Sequence, residues 1–71
     1  MEEFASRLRL LRESRRPLVS RKVVSELCGL HSDAIRRYER GEAIPTADAL
    51  SKIADYYHVS ADYLLGRTNY R

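Results

Sequence analysis

Val19 to Gly41, VSRKVVSELCGLHSDAIRRYERG, is the stretch that decides how this 71-residue chain folds. Ser20 is placed to cap a first short helix whose inward positions are Val23, Val24 and Leu27, with Cys28 behind them. Gly29 stands where that helix needs a left-handed residue to stop, a conformation open at no cost only to a residue without Cβ. Leu30 continues the core, and a second helix is expected from His31 or Ser32. On it, Ala34, Ile35 and Tyr38 fall on one side, and Ser32, Asp33, Arg36, Arg37 and Arg40 on the other. A helix packed through one face and carrying arginines and short polar groups on the other suits the major groove of DNA. Double-stranded DNA is therefore the first candidate partner.

The helical period continues on both sides of this segment, and no stretch alternates like a strand. Upstream, Phe4, Leu8 and Leu11 at i, i+4, i+7 predict a helix from about Glu2 to Arg15, ended by Pro17. Glu2 and Glu3 suit its positive N-terminal end, and Arg15 and Arg16 its C-terminal end. The two central helices are expected at about Arg21–Cys28 and Ser32–Arg40. Downstream, Gly41 stops the second of them and Glu42 to Pro45 form a loop. Thr46 then caps a fourth helix reaching about Tyr57, with Ala49, Leu50, Ile53, Ala54 and Tyr57 inward. His58 ends it. Ser60 caps a short fifth helix, Ala61–Leu65, closed by Gly66. This gives an all-α domain of five helices over residues 1–66 and a loose tail, 67–71.

A chain of this length supports one small core and no separate ligand-sensing domain. Thirteen Lys+Arg against ten Asp+Glu leave a net charge of only +3, so clustering matters more than the total. Arg7, Arg9, Arg12, Arg15, Arg16, Arg21 and Lys22 crowd the first part of the chain, and Arg36, Arg37 and Arg40 the second central helix. Eleven of the thirteen are arginine, whose planar fork matches phosphate and guanine. Arg7, Arg9 and Arg12 fit a solvated helix face, whereas Arg36, Arg37 and Arg40 fit a ligand. The single cysteine forms no internal disulfide and reads as buried packing. No segment reads as a signal peptide or membrane span, which leads to the expectation of a cytoplasmic protein. His31, His58 and Cys28 lack metal-ligand spacing, and no nucleophilic triad, phosphate loop or paired-carboxylate cleft is present. No catalysis, cofactor, metal, membrane contact or small-molecule substrate is expected.

Taken in order, several features resemble the lambda-repressor-like, or Xre/Cro phage-repressor, type of helix-turn-helix domain. They are Ser20-Arg21, Gly29, Ile35, Tyr38-Glu39-Arg40-Gly41, Pro45 and the closing Val59-Ser60-Ala61-Asp62-Tyr63-Leu64-Leu65-Gly66. The resemblance spans about Phe4 to Gly66. It implies a compact five-helix domain, its helix-turn-helix made by helices 2 and 3. It further implies a transcriptional regulator, a homodimeric repressor placing helix 3 in the major groove of a pseudo-palindromic operator. Carried onto this chain, base contacts fall on Ser32, Asp33 and Arg37, with Arg36 close by, and phosphate contacts on Ser20, Arg21, Lys22 and Arg40. Backbone N–H groups at the start of helix 2 give Ser20–Lys22 a physical reason for that role.

Within this scheme Arg37 can grip a guanine bidentately. Asp33 can accept from a cytosine amino group, or aim Arg37 through an i, i+4 ion pair, the role we favour. Arg36 suits phosphate or solvent better than bases, and Arg40 suits phosphate better than the end of its own helix. Tyr38 reads as core. Tyr56, Tyr63 and Tyr70 are more tyrosine than so small a core hides, and Tyr63 and Leu64 lie near the end of the chain, where the resembled family dimerises. A symmetric dimer interface is expected there, the alternative being that Tyr63 and Leu64 simply close the monomer core. The alternative is an antitoxin-like module of the same fold that captures a regulatory protein partner, with DNA binding secondary.

Overall fold

Three of the four turns between helices contain a residue in the left-handed conformation, and a fourth such residue follows the last helix. In the computed structural model, which describes residues 2–71, Gly29, Gly41 and Gly66 all take positive φ, at 74°, 72° and 78°. His58 does the same without being glycine, at φ 56° and ψ 44°. The helices are α1 (Glu2–Ser14), α2 (Arg21–Leu27), α3 (Ala34–Glu39), α4 (Ala47–Tyr57) and α5 (Ala61–Leu64), with Gly29, Gly41, His58 and Gly66 following α2, α3, α4 and α5 in turn. Serine and threonine hydroxyls start three of them. Ser20 accepts from the Val23 N–H at 3.2 Å, Thr46 from Ala49 at 3.1 Å and Ser60 from Tyr63 at 3.0 Å.

The core forms where α1 packs on α3 and α5, α2 on α3, and α4 on α5. Phe4, Leu8 and Leu11 bury the apolar stripe of α1 completely, joined by Val24, Ile35, Ile53 and Leu64. Phe4 meets the Tyr38 ring edge-on, with centroids 5.6 Å apart, so Tyr38 is indeed packed against the core. Cys28 is buried as expected, and burial pushes its thiol up. Ala49, Ile53, Ala54 and Tyr57 are inward on α4.

Two expectations on α2 are corrected. Val23 and Leu27 are exposed, at 42% and 62%, while Ser25 is fully buried. Residues on a helix advance about 100° each, so Val23, Val24, Leu27 and Cys28 together span too wide an arc to be buried at once. The core takes the Val24–Ser25–Cys28 side of that arc.

Of the three arginines expected on a solvated face of α1, Arg9 is exposed, whereas Arg7 and Arg12 reach distant groups of the protein, as does Arg15 just beyond the helix. Arg12 donates two bonds to Glu39, at 2.7 and 2.9 Å, tying α1 to the end of α3, and the Glu39 side chain is only 2% exposed. Arg15 donates to the Tyr57 carbonyl at 2.7 Å and lies over the Tyr57 ring. Arg7 donates to the Tyr63 carbonyl at 2.9 Å, to the Thr68 carbonyl at 2.6 Å and to Asn69 Oδ1 at 3.0 Å. The tail, expected to be loose, is thus pinned: its last carbonyl, on Arg71, also accepts from the Ser60 N–H at 2.7 Å.

Removing one partner of a buried pair strands the other charge, so Glu39→Ala is expected to cost about 3 kcal/mol of unfolding free energy. The double variant Arg12→Met/Glu39→Leu is expected to recover most of it, both read by urea denaturation. At the left-handed end of α4 the sign reverses: His58→Gly removes a Cβ clash worth about 1 kcal/mol and should raise the melting temperature.

Candidate nucleic-acid interface

The functional candidates depend on α3, which has only six residues and leans on its neighbours for its conformation. The turn before it supplies its N-terminus. Gly29 lets the chain reverse, and the Leu30 N–H returns to the Ser25 carbonyl at 2.8 Å. Ser25 Oγ then bridges the two helices: it donates to the Arg21 carbonyl at 2.7 Å and accepts from the Ile35 N–H at 3.0 Å. The Ile35 amide belongs to the first turn of α3 and has no intrahelical partner there. Ser25 satisfies it inside the core, where no water is at hand.

Helix α3 begins two to three residues later than the sequence suggests. His31 Nδ1 accepts from the Asp33 N–H at 3.1 Å, and the His31 carbonyl accepts from the Ala34 N–H at 2.9 Å. The imidazole thus closes a turn over residues 31–33 that leads into the helix. Ser32 is left exposed.

Around that turn the chain gathers two of its candidate sets. Ser20, Arg21 and Lys22 from the start of α2 line one shallow groove with Ser32, Asp33 and Arg36. Arg37 points to the other flank of α3, beside His31, Ala34, Tyr38 and the loop residues Ala43 and Ile44. Among the described residues the side chains of Arg21, Lys22 and Arg37 form no ion pair with a carboxylate. Arg40 stands apart, in a depression with Glu2, Ala5, Ser6 and Gly41, and pairs with Glu42 at 3.0 Å.

The Asp33 ion pair is corrected. Asp33 binds Arg36, not Arg37, through two bonds of 2.6 Å: Arg36 Nε to Oδ1 and Nη2 to Oδ2. The reason is reach: at i, i+3 on a helix beginning at Ala34, the forked guanidinium meets the carboxylate edge to edge. These hydrogen bonds hold the Asp33 carboxyl below the usual range, so it is ionised at neutral pH.

Tyr63 and Leu64 do not form a surface. They are 6% and 0% exposed within the single chain, both packed in the core, with the Tyr63 ring also under Arg7 and Arg71. The exposed apolar side chains lie elsewhere, at Leu10, Leu18, Val23, Leu27, Ile44 and Tyr70. No helix of the described residues is long and apolar enough to cross a membrane, and no group of three or more His, Cys, Asp or Glu among them could hold a metal ion.

Comparison with known proteins agrees with this architecture. A family model described as a helix-turn-helix domain matches residues 3–64. No curated protein matches the chain. Among solved structures, the P22 c2 repressor protein, crystallised with synthetic operator 9T in the presence of Tl+, is similar at 25% identity. The likeness covers 92% of this chain and 96% of that one, with a TM-score of 0.80.

Since Ser25 is buried with both its bonds internal, Ser25→Ala leaves the Ile35 amide without a partner. The expected cost is about 1–3 kcal/mol in urea denaturation. A variant as stable as the parent would mean that the bridge does not hold α3.

Proposed function

The chain belongs to the helix-turn-helix domain family, and from that premise we propose that it is a sequence-specific DNA-binding transcriptional regulator, a repressor that places α3 in the major groove. The observation that carries the reading is the distribution of charge over α2 and α3. Arg7, Arg12 and Arg15 are engaged by distant groups of the protein itself, whereas among the described residues Arg21, Lys22 and Arg37 form no ion pair and stay on the side where α3 begins. A similar solved structure is that of a repressor bound to an operator, and we carry that mode of binding to this chain.

In this reading the labour divides in two. Ser20, Arg21 and Lys22 hold the phosphate backbone and set register, with Arg40 and the loop after Gly41 on the far side of α3. Arg37 reads a guanine, and Ser32, Asp33 and Arg36 face the neighbouring bases. Six residues of helix reach only a few base pairs, so two copies on a two-fold operator, with half-sites about 34 Å apart, supply the rest of the sequence information. The α5 end can contribute to such a pairing through exposed neighbours such as Asp62, Arg67 and Tyr70, not through the buried Tyr63 and Leu64. The rival reading, capture of a protein partner, has one observation behind it: the exposed Val23 and Leu27, four residues apart on the outer face of α2.

Two substitutions separate the roles. On the best-bound duplex from a randomised pool, Arg37→Ala should lose about 5- to 100-fold in preference at one position of each half-site. Arg21→Ala should weaken all duplexes alike and flatten the salt dependence by about 0.9 in log–log slope per protomer. Identical behaviour of the two variants would contradict the division. Duplex binding that is weak and indifferent to both would favour the protein-capture reading.

A further inference from the structure

The two bonds between Asp33 and Arg36 occupy one edge of the guanidinium and leave the other open. Nε and one hydrogen of Nη2 face the carboxylate. Nη1 and the second hydrogen of Nη2 form the end-on fork, and among the described residues that fork donates no hydrogen bond to the protein. An end-on fork of this kind matches the O6 and N7 acceptors of guanine in the major groove. The pair is half exposed, with side-chain exposures of 36% for Arg36 and 40% for Asp33. It lies in the groove shared with Ser32 and with Arg21 and Lys22.

We propose that Asp33 is a positioning residue that makes Arg36 a guanine reader and withholds it from the phosphate backbone. This rests on the reading of α3 as the base-contacting helix. The carboxylate acts in two ways. It fixes the long side chain in one orientation, so less conformational freedom is lost when the fork engages a base. It also cancels the arginine charge locally, so the pair contributes no cation to non-specific attraction, which is supplied instead by Arg21 and Lys22. Asp33 also sits near Arg37, whose charge adds to that of Arg36 in keeping it ionised. A carboxylate on a helix facing a polyanion thereby gains a role: it exchanges affinity for all duplexes for preference among them.

The test measures wild type, Asp33→Ala, Asp33→Asn, Arg36→Ala and Asp33→Ala/Arg36→Ala against the preferred duplex, its guanine-substituted versions and random duplex over a range of salt. Circular dichroism confirms the fold of each. Asp33→Ala and Asp33→Asn are expected to lose about 5- to 100-fold of guanine preference at one position per half-site, distinct from that of Arg37. They should also gain affinity for random duplex, with a salt slope steeper by about 0.9 per protomer as Arg36 becomes a free cation. Arg36→Ala should lose the same preference without changing the slope, and the double variant should add nothing to it. Full guanine preference in Asp33→Ala overturns the inference and leaves the proposed function standing. So does an Arg36→Ala variant that changes only the salt slope. A wild-type chain that selects no sequence overturns both.

Discussion

Helix α3 is too short to exist unaided, and the rest of the molecule is arranged around that constraint. A helix of two turns has most of its terminal N–H and C=O groups unpaired and little cooperative stability of its own. Here three anchors replace what length would supply. Ser25 satisfies the Ile35 amide at the start, Ile35 itself fills the core at 0% exposure, and Arg12 grips Glu39 at the end. Each anchor comes from a different direction, so α3 is fixed in position and in rotation about its axis. Rotation matters most, because it decides which of its side chains reach a ligand.

The same constraint sorts the charges. Fixing α3 to α1 consumes Arg12, and closing the α5 end consumes Arg7, which reaches Tyr63, Thr68 and Asn69 at once. Arg15 covers Tyr57. A chain whose net charge is only +3 thus keeps Arg21, Lys22 and Arg37 free of carboxylate partners among the described residues near α3, while Arg7, Arg12 and Arg15 serve as structural donors. Arginine suits both tasks, since a planar fork binds a carbonyl, a carboxylate or a guanine edge with the same geometry. The internal cost is visible too: the Tyr57 hydroxyl is buried beside this network without a hydrogen-bond partner, and burial drives its proton affinity up.

Much of this was legible in the amino-acid order. Glycine at 29, 41 and 66 and hydroxyl caps at 20, 46 and 60 marked the helix ends, because each obeys a local rule. Periodicity gave α1 and α4, whose stripes are long enough to have one centre. It misled on α2, where four apolar residues in the six positions from Val23 to Cys28 have two possible centres and the deciding residue, Ser25, is polar. The signal available was a small hydroxyl residue next to Val24 and four residues after Arg21, whose carbonyl it could bind. The partners of Arg7, Arg12 and Arg15 lie 27 to 62 positions away, so no local pattern announces them. At the candidate site, the residue types were legible but the pairing was not: Asp33 reaches Arg36 rather than Arg37 because the helix starts at Ala34 and not at His31 or Ser32.

The central claim is that nucleic acid meets this protein on the face shared by the start of α2 and the exposed side of α3. The most direct measurement is a titration of the isotope-labelled protein with a short duplex near physiological salt, following each backbone amide by nuclear magnetic resonance. The account predicts that the largest shifts fall on Ser20–Lys22 and Ser32–Arg37, with the pinned tail and α5 unmoved. Shifts centred on α4, α5 or the outer face of α1, with Ser32–Arg37 silent, would contradict it.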